Sequence, residues 1–221
     1  MRSALVSGAS SGIGRAIAEG LAADGFDVTG LSRQPATIDV PGVTPVECDV
    51  TREADCVAAV AAHAARTGGL DVLVSSAGVL ALGPADGLDA ADLDRQLAVN
   101  VRGLVLLARE ALPHLAARGG LVVNLASVLG LEGAGGWAAY AASKHAVVGY
   151  TRSLNDEYRG RVRATALCPS YVETPMNAAI RPEGRERMIR PGDMLEAVRF
   201  LLRLSPQCLV PELEVRRVEP A

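Results

Sequence analysis

SGASSGIG, residues 7–14, lies between a short apolar run, RSALVS (2–7), and a segment whose Ile13, Ala16, Ile17, Gly20 and Leu21 fall on one helical face. The order is strand, glycine turn, helix. Gly8, Gly12 and Gly14 are spaced G-x-x-x-G-x-G. Backbone without a Cβ can approach a pyrophosphate closely, and the following helix offers unpaired N–H groups and the positive end of its dipole. Glycines also serve simply as turn formers, so what favours a nucleotide is their place directly after the first strand.

The same alternation continues outward from this turn. Strands are expected at 27–32 and 43–48, a helix near 52–66, a strand at 70–76 (LDVLVSS), a helix near 89–116 and a strand at 120–127 (GLVVNLAS). A helix near 137–158, a strand at 161–168, a helix near 192–204 and a last strand near 209–216 complete the chain. Alternating strands and helices imply an α/β fold, a doubly wound parallel sheet flanked by helices, with ligands at the carboxyl ends of the strands. Residues 169–192 are rich in Pro, Gly and charge without a clear period and are expected to form a loop or short-helix excursion over the site, with a short substrate loop at about 173–192. No linker divides the chain, so 1–221 is expected to form a single dinucleotide-binding catalytic domain.

Composition narrows the possible partners. The chain has 221 residues, 49% hydrophobic and only 3% aromatic, so Ala, Val and Leu must build the core, as is typical of helices packed on a parallel sheet. A formal net charge of −3, with bases always interspersed with acids, argues against nucleic acid and anionic membranes. The opening MRSALVSGAS breaks at Gly8, too early for a secretory or membrane segment, which makes a cytoplasmic location the expectation. Cys48, Cys56, Cys168 and Cys208 show no metal-ligand spacing, and His63, His114 and His145 join no cluster with them, so no metal is expected.

About twenty residues past the last glycine, where an acid would bind the ribose of NAD, the chain has GLSRQ. Ser32 and Arg33 suit the 2′-phosphate of NADP, with a solvated surface arginine as the alternative reading of Arg33. YAASK (140–144) contains the only lysine of the chain, beside 21 arginines. Tyr140 and Lys144 lie about 40° apart round a helix, on a stripe continued by Val147, Val148, Thr151, Leu154 and Tyr158. At ~4 Å and an effective dielectric of ~20, an ammonium would stabilise a phenolate by roughly 4 kcal/mol before desolvation, enough to make Tyr140 a general acid-base near neutral pH. Arginine's planar fork cannot replace a compact ammonium that serves two acceptors.

Ser127 ends the strand before this helix and could donate to a substrate carbonyl oxygen, although serine also ends strands for turn reasons. Asn100 shares a helical face with Leu93, Leu97 and Leu104, which puts a buried amide in mid-helix; a proton relay and a structural role both fit.

SGASSGIG (7–14), SSAG (75–78), Asn100, Ser127, YAASK (140–144) and CPSYVET (168–174), in this order, resemble the short-chain dehydrogenase/reductase family from residue 2 to about 176. The resemblance implies a Rossmann-like fold in which Tyr140 is the acid-base, Lys144 lowers its pKa and holds the nicotinamide ribose, Ser127 binds the reacting oxygen and Asn100 helps hold a water-linked proton path. It implies a dinucleotide along Gly8, Ser10, Ser11, Gly12, Ile13 and Gly14, with Asp49 and Val50 near the adenine. Ala77 and Gly78 would follow along the cofactor, with Pro169, Val172 and Thr174 near the carboxamide. Ser7 departs from the family's usual Thr, Ser75-Ser76 from Asn-Asn and Ser170 from Gly, and the frequent terminal glycine pair is missing. The resemblance also implies a homodimer or homotetramer through helices equivalent to 89–116 and 137–158, for which Ala98, Ala108, Ala138 and Ala142 would give small outer faces.

The expectation is therefore an NADP(H)-preferring oxidoreductase, with NAD(H) possible, that interconverts a small-molecule carbonyl and a secondary alcohol. A non-catalytic dinucleotide-binding sensor would have no need of the Ser-Asn-Tyr-Lys set. An adenosylmethionine-dependent transferase would leave the Tyr-Lys pair unexplained.

Overall fold

A computed structural model describes residues 1–178 and 188–218. Seven strands, β1 (Ser3–Ser7), β2 (Asp27–Ser32), β3 (Val43–Glu47), β4 (Val72–Ser75), β5 (Leu121–Leu125), β6 (Arg163–Pro169) and β7 (Glu212–Val215), form one sheet in the order β3-β2-β1-β4-β5-β6-β7. Every pair is parallel. Pro45, which has no N–H to give, is accommodated because β3 is an edge.

Helices α1 (Gly12–Ala23), α2 (Glu53–Thr67), α3 (Ala90–Leu97), α4 (Leu104–Ala116), α5 (Ala138–Glu157), α6 (Pro175–Ala178) and α7 (Pro191–Arg203) cover the sheet. Alternate residues of each strand feed two cores. Ala4, Val6, Val72 and Val74 pack with Ile17 and Leu21 of α1 and Met194 and Val198 of α7. Leu5, Leu73 and Val122 pack on the other face with Val60 of α2 and Leu107, Ala111 and Leu115 of α4. Each fully buried Val, Leu, Ile or Met among them contributes about 1.5–3 kcal/mol. Gly14 is required by contact: a Cβ there would lie 2.3 Å from the Gly8 carbonyl oxygen, so only glycine lets α1 leave β1 this closely.

The helix expected near 89–116 is present but changes pitch. Between α3 and α4, Ala98–Gly103 forms a π-helical segment. The wider turn adds a residue and moves the buried face. Gln96 and Asn100 are buried and Leu97 is 37% exposed, so Asn100 shares its inward face with Gln96, Gly103 and Leu104, not with Leu97. Ala108 likewise lies in the core and not on an outer face. Of the expected loop at 173–192, the described parts hold the short α6, a bridge between Val172 and Ile189 and the start of α7, and 179–187 lie outside the described residues. Among the described residues no helix is long and apolar enough to cross a membrane.

The sheet order reverses between β1 and β4, the point at which a doubly wound sheet opens a crevice. Ser7 and Ser75 are register partners at that edge. Ser7 Oγ accepts hydrogen bonds from the Ser76 and Ala77 amides at 3.1 and 3.2 Å, so the serine found in place of the family's threonine fixes the loop that leaves β4.

Candidate active site

A cleft of about 620 Å³ runs along the carboxyl ends of β1 to β4. Gly8, Ser10, Ser11, Gly12 and Ile13 form its floor, Ser32 and Arg33 one end, Asp49 and Val50 a side, and Ala77, Gly78 and Thr174 the inner wall. Gly8 and Gly12 have φ of 69° and 53°, which side-chain-bearing residues rarely adopt, and a Cβ on Gly8 would lie 2.9 Å from the Ala77 nitrogen. The leading end of α1 is suited to an anion. Ser11 caps it without spending its hydroxyl on the helix, and no acidic residue lies in the first turn.

At the β2 end, Ser32 Oγ accepts from the Gln34 amide at 3.1 Å, and Arg33 is exposed on the cleft wall. Asp49 is the acid that lines this cleft, and it is occupied: Oδ1 accepts from the Thr51 amide at 2.9 Å and from the Thr51 hydroxyl at 2.7 Å. Burial alone would raise its pKa, but these bonds and the charges of Arg33 and Arg52 hold the carboxyl below the ordinary value. Glycine floor, anion-ready helix end and a polar far end together fit a dinucleotide.

A second cavity, of about 230 Å³, adjoins the first and shares Ile13, Ser76, Gly78, Val79, Thr174 and Met176 with it. Ser127, Tyr140, Lys144, Pro169 and Val172 line it. Ser127 stands here because β5 ends two residues earlier; its hydroxyl accepts from the Leu129 amide at 3.2 Å and starts the turn Val128–Gly130. Tyr140 and Lys144 arrive one turn apart on α5, which packs on that turn where Gly130 leaves no room for a Cβ beneath the Lys144 carbonyl. Lys144 is buried, and its Nζ donates to the Leu125 carbonyl at 2.7 Å while lying 5.6 Å from the centre of the Tyr140 ring.

The expected lowering of the Tyr140 pKa is reversed in this pocket. Burial pushes the phenol up to about 12, with a hydrogen bond from Ser127 acting the other way. Burial likewise brings Lys144 down to about 8, partly offset by the nearby Cys168. The sequence estimate placed the ammonium on the phenol; here the carbonyl of Leu125 takes it, and desolvation decides the balance.

Asn100 lines neither cavity, nor does Gly14. Its Oδ1 accepts from the Val79 amide at 2.8 Å, and Nδ2 donates to the Val79 carbonyl at 3.0 Å and to Ser143 Oγ at 3.1 Å. The side chain thus ties the π-helical segment to the loop after β4 and to α5. Sequence reading missed Ser143, which completes this clamp, and Trp137 and Tyr171, which wall the second cavity. Trp137, the one tryptophan in a chain poor in aromatics, was the available signal.

Residues 2–185 match the family model described as short chain dehydrogenase. The 2-(R)-hydroxypropyl-CoM dehydrogenase of Xanthobacter autotrophicus is 38% identical over 85% of this chain and 82% of its own. An alcohol dehydrogenase from the archaeon Thermococcus sibiricus, complexed with 5-hydroxy-NADP, superposes with a TM-score of 0.92 at 27% identity, covering 100% of this chain and 99% of its own. A 3-ketoacyl-(acyl-carrier-protein) reductase from Brucella melitensis, complexed with NADH, gives 0.89 at 29% identity, over 97% of this chain and 96% of its own.

Proposed function

Because the chain belongs to the short-chain dehydrogenase family, NAD(P)-dependent enzymes that act on CH–OH and C=O groups, we propose that it prefers NADP(H) and interconverts a ketone and a secondary alcohol through Ser127, Tyr140, Lys144 and Asn100. The observation that carries this reading is the convergence of Ser127, Tyr140 and Lys144 on one cavity that adjoins the glycine-floored cleft.

A bound nicotinamide supplies or takes up the hydride. Ser127 donates to the carbonyl oxygen and draws charge onto it. Tyr140, protonated at neutral pH by its burial, holds the proton that this oxygen needs on reduction. Lys144, still largely charged at pH 7, provides the positive potential that favours the phenolate left behind. Asn100 acts by position: its clamp on Val79 and Ser143 keeps the α5 helix and the β4 loop in register around the pocket. The preference for NADP(H) rests on Ser32 and Arg33 and on the lack of an acid at the end of β2, since one charge-assisted contact to a phosphate contributes about 1.5–3 kcal/mol.

The test is a set of ketones and alcohols assayed by the ultraviolet absorbance of the reduced nicotinamide, with each cofactor in turn. Turnover with NADPH, a Kd for NADPH at least about tenfold below that for NADH, and a reversed preference in Arg33→Asp are expected. Equal affinities in the unaltered protein refute the cofactor assignment. Full turnover in Tyr140→Phe refutes the catalytic one.

A further inference from the structure

The chain has seven aromatic residues, one Trp, four Tyr and two Phe, and three of them meet at the second cavity. Trp137 stands edge to face against Tyr140, with ring centres 6.0 Å apart, and against Tyr171 at 6.2 Å. Trp137 comes from the start of α5 and Tyr171 from the loop after β6, so a rigid aromatic corner is built beside Tyr140 from two separate segments. Val79, Leu80, Val128 and Leu129 continue the wall in aliphatic side chains.

Charge at the cavity is already committed. Glu132 lines it, and Arg216 donates to Glu132 Oε2 at 2.9 Å while also pairing with Glu214. Arg217 lies 5.1 Å from the centre of the Tyr171 ring, on its face, and its amide donates to Ser170 Oγ at 2.9 Å. Lys144 is bonded to Leu125. Among the described residues, then, each of these cations already has a partner, and Glu132 is itself neutralised by Arg216. A volume of about 230 Å³ is also small beside the cavities that hold drug-sized ligands.

We propose that this pocket takes a compact, uncharged alicyclic ketone, and its alcohol, seated against Trp137 and Tyr171. The proposal rests on the oxidoreductase reading above. In reduction the carbonyl carbon gains a hydride from a reduced nicotinamide nucleotide, which is left oxidised, and the carbonyl oxygen gains the Tyr140 proton, so two electrons and two hydrogens are added. A flat or puckered ring buries its faces against aromatic edges at low conformational cost, whereas a keto acid of equal size must leave its carboxylate in the corner between Trp137 and Tyr171.

Trp137 is its own reporter. Its emission, in protein saturated with oxidised NADP, is titrated with cyclohexanone and with 4-oxopentanoate, and kcat/KM for both is measured with NADPH. Cyclohexanone is expected to change the emission at concentrations at least about tenfold lower and to show a kcat/KM higher by about the same factor. Trp137→Ala should raise KM for cyclohexanone by about tenfold with a smaller effect on 4-oxopentanoate, while Trp137→Phe, which keeps a ring, should retain the selectivity in kcat/KM and remove the signal. An emission change with no turnover of any ketone upholds the ligand class and defeats the oxidoreductase reading. No response to cyclohexanone, or a keto acid that equals it, overturns the proposal.

Discussion

Burial moves the two titrating groups of the second cavity apart, Tyr140 up to about 12 and Lys144 down to about 8, so at neutral pH the phenol keeps its proton and the amine is still mostly charged. Both states suit reduction. As the pH rises through about 8 the ammonium loses its charge, and the charge-assisted bond expected to hold the cofactor's ribose weakens. The affinity for NADPH, followed by fluorescence titration, should therefore fall above pH 8 in the unaltered protein and be flat there in Lys144→Met. Lys144→Arg tests shape against charge. The buried ammonium makes a single 2.7 Å bond to the Leu125 carbonyl, and a guanidinium is too broad for that place, so kcat should drop by about a hundredfold or more although the charge is kept. Tyr140→Phe should abolish turnover and leave the Kd of NADPH within about threefold, which separates proton transfer from binding. Near-normal turnover in Lys144→Arg would mean that the one lysine of the chain has no chemical task.

The elements behind these residues carry their own titration. His63 of α2 is 2% exposed beneath β2; its Nδ1 is 2.8 Å from Thr29 Oγ1, and among the described residues its Nε2 has no hydrogen-bond partner. Arg66 donates to the same Thr29 hydroxyl at 2.7 Å and pairs with Asp27. Burial, reinforced by Arg66, lowers the His63 pKa from 6.5 to about 4. Between those values the unfolded chain binds the proton and the folded one does not, so stability falls as the pH drops through this window, by up to ~3 kcal/mol. Urea unfolding midpoints at pH 7 and pH 4.5 should show the fall, and His63→Gln, which can still reach Thr29, should lessen it; an equal fall in both proteins would exonerate the histidine. The histidine had looked ordinary in the sequence, because only the packing of α2 on β2 makes its protonation costly. The same limit governs the rest. The glycine turn, the strand alternation and the Tyr140–Lys144 spacing were legible because local backbone sterics and helical periodicity determine them. The inward face of α3 was not: a π-helical segment has no sequence period of its own, and its extra residue replaced Leu97 by Gln96. Nor was the Trp137–Tyr171 corner, whose halves are 34 positions apart and meet only at the ends of β5 and β6.

For the molecule as a whole, the remaining free surfaces differ in what they can join. Both edges of the sheet are guarded: β3 carries Pro45 and an exposed Glu47, and β7 carries Glu212 and Glu214, which are paired with Arg152 and Arg216. Charged or proline-bearing edges resist strand pairing between copies. The outer face of α5 is different, for Ala138, Ala142, Ala146, Gly149 and Ser153 follow one another at helical spacing and are all exposed. Ala98 is half-buried nearby and Leu97 is 37% exposed, whereas Ala108, once counted with them, is spent in the core. Small side chains let two helices approach closely, and a two-fold axis would set the stripe against its own copy. A homodimer, or a homotetramer built from it, is therefore expected at micromolar concentration by light scattering. Ala142→Arg, which places a long cation on the stripe and disturbs no buried contact, should give a monomer with an unchanged circular dichroism spectrum. A monomeric mass for the unaltered protein would remove the assembly altogether, and a dimer that survives Ala142→Arg would move the interface away from α5.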